Sequence, residues 1–282
     1  MIHVVHGSKS GLTLPALPDV ERLGAAHDDA VTIVDACQLR IAPSVVRRYL
    51  GLGCVVLLTG SKFAGGPPFS GFALVPAAAR ARVRPLPAGF RRLANRAEWP
   101  ADWPGADRLP ATGNFGLLLR LQAALIEMGR FAALSEERVG HVAARFSHHV
   151  MRLAKRLELA EVPGAGTSCL ATETLRTLDL SARWPQCDFD AAKAMHGLIA
   201  RETRRWLGRE IRLGQPVKTH PLADGRMAGT LRLSLSMPLF AEMADLPDAA
   251  LDTRLDRDMA LVGAAISAAG AIICALPRSA PG

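Results

Sequence analysis

Acidic residues are in deficit. Asp and Glu number 26 against 34 Lys and Arg, a formal charge of +8. Such an excess invites anionic partners, nucleic acid and membrane surfaces among them. The arginines are scattered, however, with only short clusters such as Arg80-Ala-Arg-Val-Arg84, Arg91-Arg92 and Arg204-Arg205, and no nucleic-acid motif is present. The expectation is no nucleic acid, no membrane, and small anionic ligands. Cysteine is scarce too. Cys37, Cys54, Cys169, Cys187 and Cys274 are widely spaced and form no CxxC pair, which argues against a zinc site or a disulfide framework. Free thiols suit a reducing, cytoplasmic setting. The histidines show no ligand spacing, and the adjacent His148 and His149 would point apart on a helix, so no metal is expected. The N-terminus lacks the basic–apolar–small pattern of a secretion signal. Long apolar runs are nearly absent as well. Met259 to Leu276 is uncharged but rich in Ala, Gly and Ser, and Arg254, Arg257 and Asp258 precede it closely; it reads as a buried terminal helix rather than a membrane span.

What is there begins with 282 residues, long enough for two domains, and a globular balance of 49% hydrophobic and 21% charged residues. One stretch organises the chain, Thr59-Gly-Ser-Lys-Phe-Ala-Gly-Gly-Pro-Pro-Phe-Ser-Gly71. The β-branched run Cys54–Leu58 leads into it as a buried strand, and the apolar run Phe72–Pro76 leaves it. Lys62 stands at the end of that strand, between the hydroxyls of Thr59 and Ser61 and a glycine–proline loop. Burial there would lower the lysine pKa and make its amine a nucleophile for Schiff-base chemistry. The preceding β-branched run, Val31–Val34, ends in Asp35-Ala-Cys-Gln38. An acid at one strand end and a lysine at the next suit pyridoxal phosphate: the acid keeps the pyridine nitrogen protonated and the lysine holds the aldehyde carbon.

Asp35-Ala-Cys-Gln38 followed by Thr59-Gly-Ser-Lys62-Phe-Ala-Gly-Gly-Pro resembles the fold-type-I pyridoxal-phosphate enzymes, in particular the class V aminotransferase and cysteine desulfurase group. The resemblance implies that Asp35 faces the ring nitrogen, Gln38 the ring hydroxyl, Thr59 and Ser61 the phosphate, and that Lys62 forms the internal aldimine. Ser61 stands where the family pattern has histidine. Ser8 falls near a polar residue beside the ring, and Thr112-Gly-Asn114 near a segment that reaches the phosphate of a partner subunit. Arg232, in Thr230-Leu-Arg-Leu-Ser-Leu-Ser236, falls at the arginine that grips the substrate carboxylate. A homodimer acting on an amino acid is implied.

In chain order, strands at Ile2–Val5, Val31–Val34 and Cys54–Leu58 alternate with helices at Pro18–His27 and Pro43–Leu50, the pattern of a parallel α/β sheet. Its ligands bind beyond the carboxyl ends of the strands, where Asp35 and Lys62 both lie. Residues 80–112 read as a linker or as an exposed segment packing on a partner. A long helix at Phe115–Leu134 buries the stripe Leu118, Leu121, Leu125, Met128, and a second runs from Ser135 to about Ala160. After a turn at Pro163–Gly166, a strand at Cys169–Leu178, a helix at Asp190–Trp206, paired strands at Ile211–Val217 and Thr230–Ser236, and a helix at Asp248–Ala275 read as a smaller α+β domain. The division expected is 1–112, a partial large domain with linker, and 113–282, the small domain with its connecting helix.

The family resemblance also implies a longer region before the first strand, holding further strands, a phosphate-cradling turn and a ring-stacking residue. None of these is found, so the chain reads as lacking its N-terminal part, with an open sheet edge. Two functions are expected from this: a pyridoxal-phosphate enzyme whose reaction type is open, or a truncated, non-catalytic homologue that at most binds a partner. Desulfuration requires a mobile-loop cysteine ahead of the Arg232 strand, and the nearest, Cys187, sits at the start of a helix.

Overall fold

The β-branched runs Ile2–Val5 (β1), Thr32–Asp35 (β2) and Val55–Thr59 (β3) lie side by side as parallel strands in a computed structural model that describes residues 1–27, 29–164, 170 and 173–275, the side chains of 274 and 275 excepted. Their alternating residues send Val4, Val34 and Val56 into the interior, where all three are fully buried. Helices Leu17–Ala26 (α1) and Pro43–Gly51 (α2) make the crossovers, each with a proline in its first turn. The chain's one tyrosine, Tyr49, is buried on α2 and meets His6 edge-on, its hydroxyl 3.2 Å from the His6 Nδ1. Gly71–Leu74 (β4) then returns antiparallel on β3, with Thr59 opposite Gly71. The loop over 60–70 is too short for a crossover helix, so the parallel alternation stops here. The architecture is α/β, with a mixed, mostly parallel sheet in the order β1-β2-β3-β4.

Residues 80–112 are not a bare linker. A short helix at Ala77–Arg80 (α3) and 3-10 turns at Ala88–Arg92, Arg96–Glu98 and Ala106–Arg108 fold the segment on itself. Trp99 packs edge-on against Phe90 and Trp103, and Ala106 and Leu109 are buried. The next helix, Phe115–Ala132 (α4), differs from expectation in the face it buries. Leu118 and Leu125 are exposed; Ala124 is buried, and Leu117, Leu121 and Met128 beside it are half-buried. Glu136–Arg156 (α5) starts where expected, the Ser135 hydroxyl accepting from the Arg138 N–H. It ends earlier, because Glu158 takes a positive φ of 55° and turns the chain into Ala160–Val162 (β5). Of the turn expected at Pro163–Gly166, residues 165 and 166 lie outside the described residues.

The chain divides into two compact units, 1–8 with 13–132, and 9–12 with 133–282. The sequence boundary at 112/113 falls at the foot of α4, which is counted with the first unit. In the second unit β5, Leu175–Asp179 (β6) and Thr230–Ser234 (β7) form an antiparallel sheet. The strand expected from Cys169 begins only at Leu175, and Cys169 itself lies outside the described residues. The expected pairing of 211–217 with β7 reduces to one bridge, Gly214 with Arg232; Pro216 has no N–H to continue a ladder. Helices Phe189–Leu207 (α6), Met237–Met243 (α7) and Asp248–Ala275 (α8) complete the unit. Its core gathers Leu178, Leu231, Ile199, Phe240 and Leu255. α5 and α8 are tied by a ladder one turn apart: His141 to Asp248, Arg145 to Asp252, and the buried His149 to both Asp252 and Asp256. Among the described residues no helix is long and apolar enough to cross a membrane.

Candidate functional site

The site follows from two strand ends. β2 stops at Asp35, whose Cα partner on β3 is Leu57, and β3 stops at Thr59, three residues before Lys62. Both chemical groups therefore leave the carboxyl ends of adjacent parallel strands. The Asp35 Oδ1 accepts the Cys37 N–H at 3.0 Å, the short-range bond by which an aspartate closes its own turn. Burial pushes the Asp35 carboxyl up. It is outweighed by the Cys37 N–H and thiol hydrogen bonds and by the charges of Lys62 and His3, which hold the carboxyl below its ordinary value. The Cys37 thiol is pushed up to about 11 by burial and by the Asp35 hydrogen bond and charge, with Lys62 opposing.

Thr59 and Ser61 are brought together. Their hydroxyls stand 2.9 Å apart, and the Thr59 Oγ1 also accepts the Ser61 N–H at 3.3 Å. Gln38 sits two residues beyond the Asp35 turn, its Oε1 accepting from Arg40 at 3.4 Å. A Cβ added at Gly7 would stand 4.0 Å from the Gln38 Cβ, which places half-buried Ser8 one residue from that turn. Thr112 is exposed at the foot of α4, where Asn114 caps the helix through its Oδ1 on the Leu117 N–H.

Lys62 departs from expectation. It is exposed, not buried. The chain turns at Lys62, whose carbonyl accepts the Gly65 N–H at 2.9 Å, and the interior positions go to Phe63 and Ala64. An aromatic ring gains far more from burial than an ammonium, which is costly to bury. Phe63 is held from two sides, edge-on by Phe131 of α4 and under the guanidinium of buried Arg40 at 4.8 Å. The loop also needs its glycines. A Cβ at Gly60 would lie 2.3 Å from the Ala124 Cβ, and one at Gly66 2.8 Å. Arg40, Phe63 and Ala124 thus fix the lysine loop, and chemistry-bearing motifs gave no signal for them; only a search for apolar residues flanking Lys62 points to Phe63.

Arg232 lies in the second unit. It is buried on β7 rather than facing solvent; its Nε donates to the Gln215 carbonyl at 2.6 Å and its Nη1 to the Lys9 carbonyl at 2.8 Å. Burial lowers its pKa, and among the described residues no carboxylate pairs with it. Cys187 is fully buried, which removes it as a mobile-loop nucleophile. Among the described residues no cluster of His, Cys, Asp and Glu is placed to hold a metal ion.

No family model matches this chain, and no curated protein does. Solved structures similar to it include a cysteine desulfurase from Thermococcus onnurineus NA1, at 17% identity and a TM-score of 0.48, covering 93% of this chain and 60% of its own. A pyridoxamine-pyruvate aminotransferase from Mesorhizobium loti is 18% identical at a TM-score of 0.47, covering 97% and 64%. A phosphoserine aminotransferase from Cytophaga hutchinsonii is 11% identical at 0.47, covering 86% and 62%. This chain therefore spans less than two thirds of the length of each.

Proposed function

We propose that this chain carries the lysine-and-acid part of a pyridoxal-phosphate site and acts on an amino acid. One observation supports the reading above the others: Asp35 and Lys62 stand at the carboxyl ends of neighbouring parallel strands, close enough that the Lys62 charge lowers the Asp35 pKa. The donor set fits the cofactor in kind, with an amine, an ionised carboxylate and two adjoining hydroxyls. When bound, pyridoxal phosphate supplies an aldehyde that condenses with amines and a ring that accepts electrons. Lys62 Nζ would be the amine that holds that aldehyde and a base for the proton at the substrate Cα. The Asp35 carboxylate, kept ionised by Cys37 and Lys62, would pair with the ring nitrogen and favour a proton there. Thr59 and Ser61 would offer hydroxyls to phosphate oxygens, and Gln38 an amide to the ring hydroxyl. For Arg232 we propose a carboxylate receptor on separate grounds: its guanidinium is buried, has no acid partner among the described residues, and keeps donors beyond those given to the Gln215 and Lys9 carbonyls. The reaction type stays open between transamination, decarboxylation and elimination.

The exposure of Lys62 favours a second reading, a non-catalytic homologue. One experiment separates the two. The chain has five lysines; it is titrated with pyridoxal phosphate, reduced with borohydride and mapped by mass spectrometry. One label per chain on Lys62, lost in Lys62→Ala, supports the proposal. Scattered labelling over the lysines supports the second reading.

A further inference from the structure

Segment 209–213 is tied to α6. The Ile211 N–H donates to the buried Thr203 Oγ1 at 3.0 Å, and the Leu213 carbonyl accepts from the His196 Nε2 at 3.1 Å. Next to the bridge of Gly214 with Arg232 this segment and the end of β7 part. A cavity of about 310 Å³ opens between them, α7 and α8. Its floor is apolar: Phe146, Leu233, Met243 and Leu255 are buried, while Leu239 and Val262 at the opening are half-buried. Arg232 does not line it. Neighbouring residues of a strand point to opposite sides, so Arg232 lies across β7 from Leu233, and the cavity is distinct from the carboxylate receptor proposed above.

Charge is confined to the rim, where Arg209, Glu210, Arg212, Arg254 and Asp258 are exposed or half-buried. Four of the five pair off. The Arg212 Nε lies 2.7 Å from the Glu210 Oε1, and the Arg254 Nε 2.8 Å from the Asp258 Oδ2. Arg254 also reaches Glu242, outside the lining, at 3.5 Å. Arg209 has neither an ion pair nor a hydrogen bond among the described residues, and so keeps its whole donor set for a ligand.

We infer that this cavity binds a medium-chain carboxylate, its tail among the apolar side chains and its head on Arg209 and the exposed Ser234 hydroxyl. An apolar recess with a few polar groups at one end is the common form of a small-molecule site. Volume sets the length of the tail: a water-sized group takes about 30 Å³, so the cavity holds about eight to ten carbons. Arg209 sets the charge, because a planar guanidinium fork matches a carboxylate and repels an ammonium. A protein partner fits less well, since a recess of this size admits one side chain and not an interface of about 1,000 Å².

The test is a calorimetric titration of the full chain without pyridoxal phosphate, so its outcome is independent of the lysine site. The probes are hexanoate, octanoate, decanoate and dodecanoate below their micelle concentrations. Decanoate is expected to bind once per chain with a dissociation constant on the order of 100 µM. Affinity is expected to rise about fourfold per methylene up to decanoate and to level off at dodecanoate, whose tail outgrows the cavity. Octylamine is expected to bind at least about tenfold more weakly than octanoate. Arg209→Gln, at an exposed position, is expected to weaken decanoate about tenfold. Val262→Trp, which fills the opening, is expected to abolish binding with the parent's circular dichroism retained. No heat from decanoate up to about 2 mM overturns the proposal. So does an affinity independent of chain length, which would place the carboxylate on Arg232 or another arginine without use of the cavity. Octylamine binding as tightly as octanoate overturns the anionic head, and decanoate binding untouched by Arg209→Gln and Val262→Trp overturns the site.

Discussion

Asp35 sits among opposed influences: burial works against its charge, while the Cys37 hydrogen bonds, Lys62 and His3 work for it and prevail. A carboxyl whose native pKa is below its unfolded one stabilises the fold above the unfolded value of about 3.9 and loses that contribution as pH falls through the native value. Urea midpoints of the parent and Asp35→Asn are therefore expected to differ by a constant amount above about pH 5 and to converge towards pH 2. A difference that stays flat to pH 2 would show that Asp35 is not stabilised as an anion. Cys37 offers a second readout. Its thiol, at about 11, should react slowly with iodoacetamide at pH 8, because only the thiolate attacks. Asp35→Asn removes the charge that helps raise it, while its amide oxygen can still accept. Alkylation of the Cys37 peptide, followed by mass spectrometry, is expected to speed up roughly tenfold per unit of pKa regained. An unchanged rate would show that the Asp35 charge does not raise the thiol.

Among the elements, the contact of α4 with the lysine loop is the tightest. Gly60→Ala forces a methyl to within 2.3 Å of the Ala124 Cβ, an overpacking expected to cost about 1–3 kcal/mol. Ala124→Gly costs about 1 kcal/mol of helix propensity. The double variant is expected to lose clearly less than the sum, since each change relieves the other; additive urea-unfolding energies would mean that the two do not touch in solution. In the second unit, Arg138 donates to the carbonyls of Met243, Ala244 and Leu246, closing the end of α7. Arg138→Ala is expected to cost about 2 kcal/mol, and Arg138→Lys to recover little, because only the planar fork reaches all three acceptors. The elements differ in how legible they were. β1, β2, β3, α1, α2 and α8 were readable because a local period and a local stop define each. The α4 stripe was misread because both of its faces are apolar: Leu118 and Leu125 belong to one face, Leu121 and Met128 to the other, and spacing alone could not say which turns inward. The exposure of Lys62 was illegible for a related reason. It depends on Phe63 taking the interior against Phe131 and Arg40, partners distant in sequence. Asp35 and Lys62 could be brought to one sheet end from chain order alone, because parallel strands joined by short crossovers leave little freedom in where their ends fall.

For the whole molecule, two units with separate cores imply two sets of energetics. Calorimetry is expected to show two unfolding transitions, one lowered by Gly60→Ala and the other by Arg138→Ala. A single transition shifted equally by both variants would mean that the units unfold as one. Net charge, +8 over the chain, was legible as an attraction for anions. Which anion was not, because composition averages away the few groups, such as Asp35 and Lys62, on which the proposed site rests.

The pairing of Thr59 with Gly71 has a consequence for how this protein could change. The loop that bears Lys62 enters and leaves through one hydrogen-bonded rung, and it is tied internally by Gly60 to Ser70 and by Gly66 to Gly60. It is in effect a cassette, closed at its mouth and holding its own anchors in Phe63 and Ala64. Replacing or lengthening such a loop costs only the slowly growing entropy of closure, about 0.6 kcal/mol for each doubling, while the register of the sheet is set outside it. New chemistry could therefore be inserted between β3 and β4 without renegotiating the fold, provided that the replacement still offers a ring for Arg40 and a gap for Ala124.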